Sequence, residues 1–125
     1  MKKIPPDMVK ALIDQGIELH ATQNGVSIPV INRIYLKMKG GMRFSDILVT
    51  NGYICNGHHR YIASLLAEVP IGRSQGITAL PDIVHWESVK LDPNNWDTKD
   101  KIKMLNEQDA KFNNTEYENI AHLLI

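Results

Sequence analysis

The sequence predicts a single α+β domain in which helices pack on a small mixed sheet. The chain has 125 residues, and 43% of them are hydrophobic, which is enough for one buried core. Segments with apolar residues at i, i+3, i+4 and i+7, typical of helices, alternate with short apolar runs typical of strands. Asn51-Gly52, between two such runs, is the strongest hairpin signal. No linker divides residues 1–125, and the charged segment from about 98 to 125 is typical of a helical C-terminal extension.

Prolines and glycines mark the predicted boundaries in the first half of the chain. Pro5-Pro6-Asp7 is typical of a helix start, and Gly16 of a helix stop. Lys37 and Lys39 fall in the last turn of a second helix, where the helix dipole favours cations. The predicted elements are, in order, a helix from Pro5 to Gly16, a strand from Ile17 to Thr22, a turn at Asn24-Gly25, a helix from Pro29 to Gly40, a strand from Phe44 to Thr50 and a return strand from Tyr53 to Cys55.

Further elements are predicted in the second half of the chain. Asp92-Pro93-Asn94-Asn95 is turn-forming, and Thr115-Glu116-Tyr117-Glu118 fits a capping box. The last helix is expected to bury Ile120, Leu123 and Leu124. The other predicted elements are a short strand or extended exit from Val69 to Ile71, a loop from Gly72 to Pro81, a strand from Asp82 to Leu91 and a charged helix from Thr98 to about Phe112.

The junction between the return strand and the next helix is the candidate functional site. The first N–H groups of a helix have no intrahelical partner and carry partial positive charge, so such a junction can hold an anion. Gly57 lets the chain pass close to a ligand, and Arg60 can form a forked contact with a phosphate or carboxylate. Asn56 and His58 complete the predicted phosphate-binding turn. We expect His58 or His59 to act as the proton-transfer or orienting group.

The helix after this turn has an apolar stripe and a polar side. At about 100° per residue, Arg60 lies roughly opposite the stripe, and Ser64 follows one turn later on the side of Arg60. We therefore include Ser64 among the phosphate-binding residues. The stripe itself consists of Ile62, Leu65, Leu66 and Val69.

Two further constellations have both a functional and a structural interpretation. His85 and Glu87 alternate along a predicted strand and face the same side, as an acid/base pair lining a cleft or as an exposed strand face. Asp92, Asp97 and Asp100 have two interpretations: they hold Mg²⁺ against a phosphate, or they make turns and a helix cap. Their spacing matches no known loop signature.

Neither the adjacent histidines nor the tryptophans define a site by themselves. His58 and His59 point about 100° apart at a helix start, so one metal ion would rarely use both, and no metal site is predicted. For each of Trp86 and Trp96 there are two interpretations: the ring stacks on a nucleotide base, or it anchors the core.

Charge and cysteine content exclude several classes of function. Lysine plus arginine equals aspartate plus glutamate, 14 against 14, which argues against holding a long nucleic-acid backbone by charge alone. Met1-Lys2-Lys3 is followed by prolines rather than an apolar run, and no stretch approaches about 18 apolar residues, so neither an export signal nor a membrane span is expected. The single cysteine, Cys55, excludes an internal disulfide and suits a reducing compartment, so we expect a cytoplasmic protein.

The run from residue 28 to 71 resembles the nucleotide-binding domain of the ParB/sulfiredoxin superfamily. That family has, in order, a helix, a β-hairpin, a helix that starts with a G-x-x-R-x-x-A motif, and a short exit strand. This chain follows the same order with a helix, Gly-Gly, FSDILVT, NG and YICNGHHRYIASLLAEVPI. Gly57, Arg60 and Ala63 occupy the motif. The resemblance implies a stand-alone ParB/sulfiredoxin-like fold. It also implies a nucleoside-triphosphate site with Arg60 on a phosphate and with backbone donors from Gly57 and His58.

The chain departs from this family at three points. No helix-turn-helix region follows, and no Q-x-R box is recognisable near Gln23. Sulfiredoxins carry a reactive cysteine after the glycine, where this chain has His58. Cys55 lies in a predicted strand and is expected to be a buried structural thiol, so sulfinic-acid reduction is disfavoured.

The expected function is that of a nucleotide-binding enzyme that hydrolyses a nucleoside triphosphate or transfers its phosphoryl group, with Mg²⁺ as the partner ion. The family also includes toxin domains, so a bacterial toxin or effector with an immunity protein as partner is a further expectation. One alternative is a metal-dependent nuclease of the same fold, acting on DNA or RNA. Another is a non-catalytic nucleotide sensor or partner-binding module.

Overall fold

A computed structural model describes residues 4–76 and 82–121 and confirms the α+β class. The helices are α1 (Pro6–Gln15), α2 (Ile28–Lys39), α3 (His58–Ala67), α4 (Lys99–Phe112) and α5 (Tyr117–Ile120). The strands are β1 (Gly25–Ser27), β2 (Ile47–Thr50), β3 (Tyr53–Asn56), β4 (Arg73–Gln75) and β5 (Lys90–Asp92), and a 3-10 turn spans Trp86–Ser88. None of the helices within these ranges is long and apolar enough to cross a membrane.

The strands form two small sheets that place the predicted site. In the larger sheet the order is β3-β2-β4, with β2 antiparallel to β3 and parallel to β4. The predicted hairpin turn is confirmed: Asn51 and Gly52 have φ of 49° and 82°, the two positive values that a type I′ turn requires. In the second sheet β1 pairs with β5 in parallel. Strand β3 leads directly into α3, so the start of α3 lies at the end of a sheet strand.

One apolar core lies between the larger sheet and helices α1, α2 and α3. Its fully buried side chains include Val9, Ile31, Ile47, Ile54 and Ile62. Helices α4 and α5 are attached through a separate, smaller cluster, formed by Met42, Ala110 and Ile120 with Phe44 against it. Burying that cluster stabilises α4 far less than the main core stabilises α3, because the apolar area removed from water is smaller.

The predicted strand from Ile17 to Thr22 is wrong. Only single bridges form there, from His20 to Tyr53 and from Ala21 to Val84. Side chains instead satisfy much of this backbone: the Tyr61 hydroxyl accepts from the Leu19 N–H, and the Trp86 indole donates to the Leu19 carbonyl. These partners are distant in sequence, so the local pattern contained no sign of them.

The predicted strand from Asp82 to Leu91 is also wrong, because a 3-10 turn occupies its centre. Trp86 begins this turn, and its indole donates to the Leu19 carbonyl. This bond holds the buried Trp86 side chain in the core, which confirms the core-anchoring interpretation. Only Lys90 to Asp92 is a strand. Within the predicted loop from Gly72 to Pro81, residues 73–75 form β4, and residues 77–81 lie outside the described ranges.

Helix boundaries were predicted better than strand boundaries. Helix α1 ends at Gly16 with φ of 97°, and α4 begins after Thr98, whose hydroxyl accepts from the Lys101 N–H. The capping box is wrong, because α5 begins after Glu116 without a side-chain cap. Ile120 is buried as predicted, whereas Leu123 and Leu124 lie outside the described residues. The predicted strand from Val69 to Ile71 does not form.

Candidate functional site

A cavity of about 620 Å³ opens at the start of α3, and we call it the α3 cavity. This volume is within the range of sites that bind small molecules and cofactors. Its walls come from the start of α3, one face of α2, the loop before β2, and α4 with the segment before it. The lining residues are Gln23, Val30, Arg33, Ile34, Lys37, Phe44, Ser45, Asn56, Gly57, His58, His59, Arg60, Trp96, Asp97, Lys101, Leu105 and Asp109.

The turn that begins α3 depends on the glycine at position 57. Gly57 is the residue before the helix and has φ of 106° in the left-handed region. A Cβ at this position would lie 2.6 Å from Cγ2 of Ile47 and 2.9 Å from Nη2 of Arg60. The conformation and the close approach of β2 together require glycine. Gly57 therefore brings the first turn of α3 against the sheet and directs it into the α3 cavity.

The guanidinium of Arg60 is held at the cavity by the loop before β2. Its Nη1 donates to the Ser45 hydroxyl at 2.6 Å, and to the carbonyl oxygens of Ser45 at 3.2 Å and Asp46 at 3.3 Å. Burial lowers the pKa of Arg60 from its ordinary value, while Asp109 and Asp46 act in the opposite direction. The side chain is half-buried and lines the cavity, so its guanidinium is held in place at the cavity wall.

His58 connects α3 to the extended segment before β1. Its Nε2 accepts the Thr22 N–H at 3.0 Å, and the Thr22 hydroxyl in turn donates to the Ile54 carbonyl at 2.6 Å. A backbone N–H can only donate, so Nε2 is unprotonated and a neutral ring carries its proton on Nδ1. Burial, together with the neighbouring His59, lowers the pKa of His58 to about 4.

His59 connects α3 to the start of α2 in the same way. Its Nε2 accepts the Ser27 N–H at 2.9 Å, and the Ser27 hydroxyl donates to the Asn94 carbonyl at 2.8 Å. Burial lowers the pKa of His59 to about 4, and Arg33 also lowers it while Asp97 raises it. A base with that pKa is poorly matched to proton transfer near neutral pH. The hydrogen bonds to the Thr22 and Ser27 N–H groups and the lowered pKa values therefore favour an orienting role for both histidines.

Four cationic side chains and two carboxylates line the α3 cavity. The cations are Arg33, Lys37, Arg60 and Lys101, and the carboxylates are Asp97 and Asp109. With both histidines neutral, the lining has two more positive than negative groups. Such an excess favours an anionic ligand, and the low-dielectric walls strengthen the attraction.

The carboxylates pair with cations of α2 and α4. Asp97 lies 2.5 Å from Nη2 of Arg33 and 3.3 Å from Nζ of Lys101. Asp109 lies 2.6 Å from Nζ of Lys37, which also donates to the Asn106 side chain at 2.7 Å. Lys37 lies in the last turn of α2, as predicted. Its side chain is only 3% exposed.

Trp96 forms part of the cavity rim. Its ring meets His59 edge-on, with centroids 5.1 Å apart, and its indole donates to the Asp92 carboxylate at 2.9 Å. These contacts fix the ring while leaving the residue 47% exposed. An exposed indole held by a hydrogen bond beside a cationic cavity is suited to stacking on a planar ring.

Of the remaining predicted site residues, Asn56 is exposed on the cavity lining. Ser64 is buried, and its hydroxyl donates to the Tyr61 carbonyl at 2.7 Å, so the structure does not bring it to the cavity. His85 and Glu87 flank a buried tryptophan in a 3-10 turn, are exposed, and do not line the cavity.

The donor set does not fit a metal ion as it stands. Within residues 4–76 and 82–121, no group of three or more histidine, cysteine, aspartate or glutamate side chains is placed to hold one. Asp92 instead accepts from the Asn94 N–H, which confirms its turn role, and Asp97 and Asp109 are paired with cations.

Cys55 is half-buried, and its thiol donates to the Thr50 hydroxyl at 3.4 Å.

Two parts of the site were missed from the sequence. Arg33 and Lys37 are one turn apart on α2, and Asp109 is on α4, 72 residues beyond Lys37. The i, i+4 spacing of two cations beside an apolar face was a readable signal for the first two. The position of Asp109 depends on how α4 packs, which no local pattern indicates.

Comparison with protein families, curated proteins and solved structures finds no match for this chain.

Proposed function

We propose that this protein binds a nucleoside triphosphate in the α3 cavity and hydrolyses it or transfers its phosphoryl group. The observation that supports this most strongly is the turn from Gly57 to Arg60, which opens into a cavity with an excess of cations. Arg60 offers a guanidinium already held in place, and the first N–H groups of α3 offer backbone donors. Trp96 offers a surface for the base.

The arrangement around the site also supports a ParB/sulfiredoxin-like fold. A β-hairpin leads into the G-x-x-R helix, and the next strand returns parallel to the first hairpin strand. Mg²⁺ is the expected partner ion of a nucleoside triphosphate. The cavity residues do not form a Mg²⁺ site by themselves, so the activity should be measured with and without added Mg²⁺.

A second candidate, a nucleotide sensor without turnover, is favoured by the state of the two histidines. Both imidazoles accept backbone N–H groups through Nε2, and their pKa values are near 4. They are therefore suited to holding the site in shape. Binding of a triphosphate without phosphate release under any metal condition would support the sensor over the enzyme.

The binding test compares wild type, Arg60→Ala and Arg73→Ala with a panel of nucleoside mono-, di- and triphosphates. Arg73 is an exposed arginine paired with Glu18 outside the cavity lining, so its substitution matches the charge change. We expect Arg60→Ala to weaken binding about tenfold to a hundredfold, because a hydrogen bond to a charged group contributes about 1.5–3 kcal/mol. Calorimetry measures affinity, and phosphate release measures turnover.

Tight binding that survives Arg60→Ala would show that the site is elsewhere. Plasmid and RNA incubated with the same variants, with and without Mg²⁺, test the nuclease alternative. Cleavage that depends on Arg60 without triphosphatase activity would replace the proposed function by a nuclease.

A further inference from the structure

Three of the four cations in the α3 cavity already pair with carboxylates of this chain, since Asp97 contacts both Arg33 and Lys101 and Asp109 contacts Lys37. Nη2 of Arg33 lies 2.5 Å from Asp97, and Nζ of Lys37 lies 2.6 Å from Asp109. The Asp97 side chain is only 8% exposed, so its pair is largely shielded from water. All five residues line the cavity. The carboxylates therefore pair with cations that line the cavity in which a ligand would bind.

The pairing joins two helices that have different attachments to the core. Arg33 and Lys37 project from α2, a helix of the main core, whereas Asp97 precedes α4 and Asp109 lies within it. A carboxylate presents two oxygen acceptors to a guanidinium or ammonium, as a phosphate group does. A ligand phosphate that approaches the α2 cations therefore meets carboxylates that are already bound to them.

We propose that Asp97 and Asp109 are specificity-determining residues that set the charge of the ligand by competing with its phosphates for Arg33 and Lys37. This inference rests on the proposed function, because it concerns the same cavity. A ligand phosphate must either displace a carboxylate or lie beside it, and the resulting repulsion grows with the number of phosphate charges. The carboxylates therefore penalise polyphosphates more than a single phosphate group.

Calorimetric titrations in EDTA with orthophosphate, pyrophosphate and tripolyphosphate test this competition. The proteins are wild type, Asp97→Asn, Asp109→Asn and the control Asp100→Asn. Asp100 is exposed in the first turn of α4 and does not line the cavity, so it matches the charge change. We expect each cavity variant to bind tripolyphosphate about tenfold more tightly than wild type, because removing a nearby like charge strengthens anion binding. The gain should be smallest for orthophosphate and absent in Asp100→Asn.

Both cavity variants keep a polar partner for the freed cation, which supports their folding. Lys37 still donates to the Asn106 side chain, and Arg33 still donates to Asn95 at 3.0 Å. Circular dichroism melts establish that each variant is folded before titration. If Asp109→Asn does not fold, Asp97→Asn decides the question alone.

Unchanged or weaker tripolyphosphate binding in the folded variants would overturn the competition. If wild type also binds nucleoside triphosphate in an Arg60-dependent way, only this inference fails, and the proposed function stands. If wild type and both variants bind neither polyphosphates nor nucleoside triphosphates, both proposals fail. Polyphosphate binding seen only in the variants would support the competition, because the carboxylates would then exclude the ligand from the wild-type cavity. If that wild type also bound no nucleoside triphosphate, the proposed function would fail while the competition stood.

Discussion

At the residue scale, Gly57 combines a backbone requirement with a packing requirement, and a matched control separates them. Gly41 also has positive φ, 94°, but a Cβ there would meet no atom within 4 Å. We expect Gly57→Ala to lower the free energy of unfolding by about 1–3 kcal/mol more than Gly41→Ala, because only residue 57 adds an overpacked contact with Ile47. Urea denaturation measures both values, and equal losses would show that φ alone sets the requirement.

The two histidines at the start of α3 predict a loss of stability in mild acid. Burial lowers the pKa of His58 and of His59 from 6.5 to about 4. Between these values the unfolded chain binds more protons than the folded chain, so the free energy of unfolding rises with pH. Their contribution is fully present above about pH 6.5 and is lost as the pH falls toward 4.

Urea denaturation at pH 7, 6 and 5 measures this dependence. Each histidine contributes up to about 1.4 kcal/mol per pH unit within the window. We expect His58→Gln to give a shallower slope than wild type, whereas His85→Gln, a substitution on the exposed surface, should leave the slope unchanged. A wild-type stability that does not change between pH 7 and 5 would contradict the neutral, buried state of the pair.

At the element scale, α4 illustrates a helix whose start is set locally and whose position is set by distant partners. The Thr98 hydroxyl caps it by accepting the Lys101 N–H at 3.2 Å. We expect Thr98→Ala to lower the free energy of unfolding by about 1 kcal/mol, the usual effect of losing such a cap, and Thr98→Ser to preserve stability. Thermal unfolding of the two variants checks this. Equal melting temperatures would mean that the hydroxyl does not cap the helix.

Three helix boundaries were predictable because their signals are local. The proline start and glycine stop of α1 and the threonine cap of α4 all lie within one turn of the boundary that they mark. The predicted strand from Asp82 to Leu91 failed because a 3-10 turn with its own backbone bonds occupies its centre. The predicted strand from Ile17 to Thr22 failed because distant side chains bond part of its backbone. The Leu19 carbonyl, for example, accepts from the Trp86 indole, 67 residues away.

At the scale of the whole molecule, the two sides of the α3 cavity differ in how firmly they are attached. Helices α2 and α3 belong to the main core, whereas α4 and α5 share a small cluster around Met42. We expect hydrogen exchange followed by mass spectrometry to show faster amide exchange in α4 and α5 than in α2 and α3, because less apolar burial opposes local opening. Equal protection of the four helices would contradict this difference.

The sequence alone was enough to predict the α+β class, the hairpin at Asn51-Gly52 and the turn from Gly57 to Arg60 at the start of a helix. These features depend on backbone preferences and spacings within a few residues, so they can be read locally. Only the tertiary structure placed Arg33, Lys37 and Asp109 around that turn and brought Thr22 and Ser27 onto its histidines. Those contacts join segments far apart in the chain. The turn could therefore be predicted as an anion site, but its charge balance and the state of its histidines depend on packing.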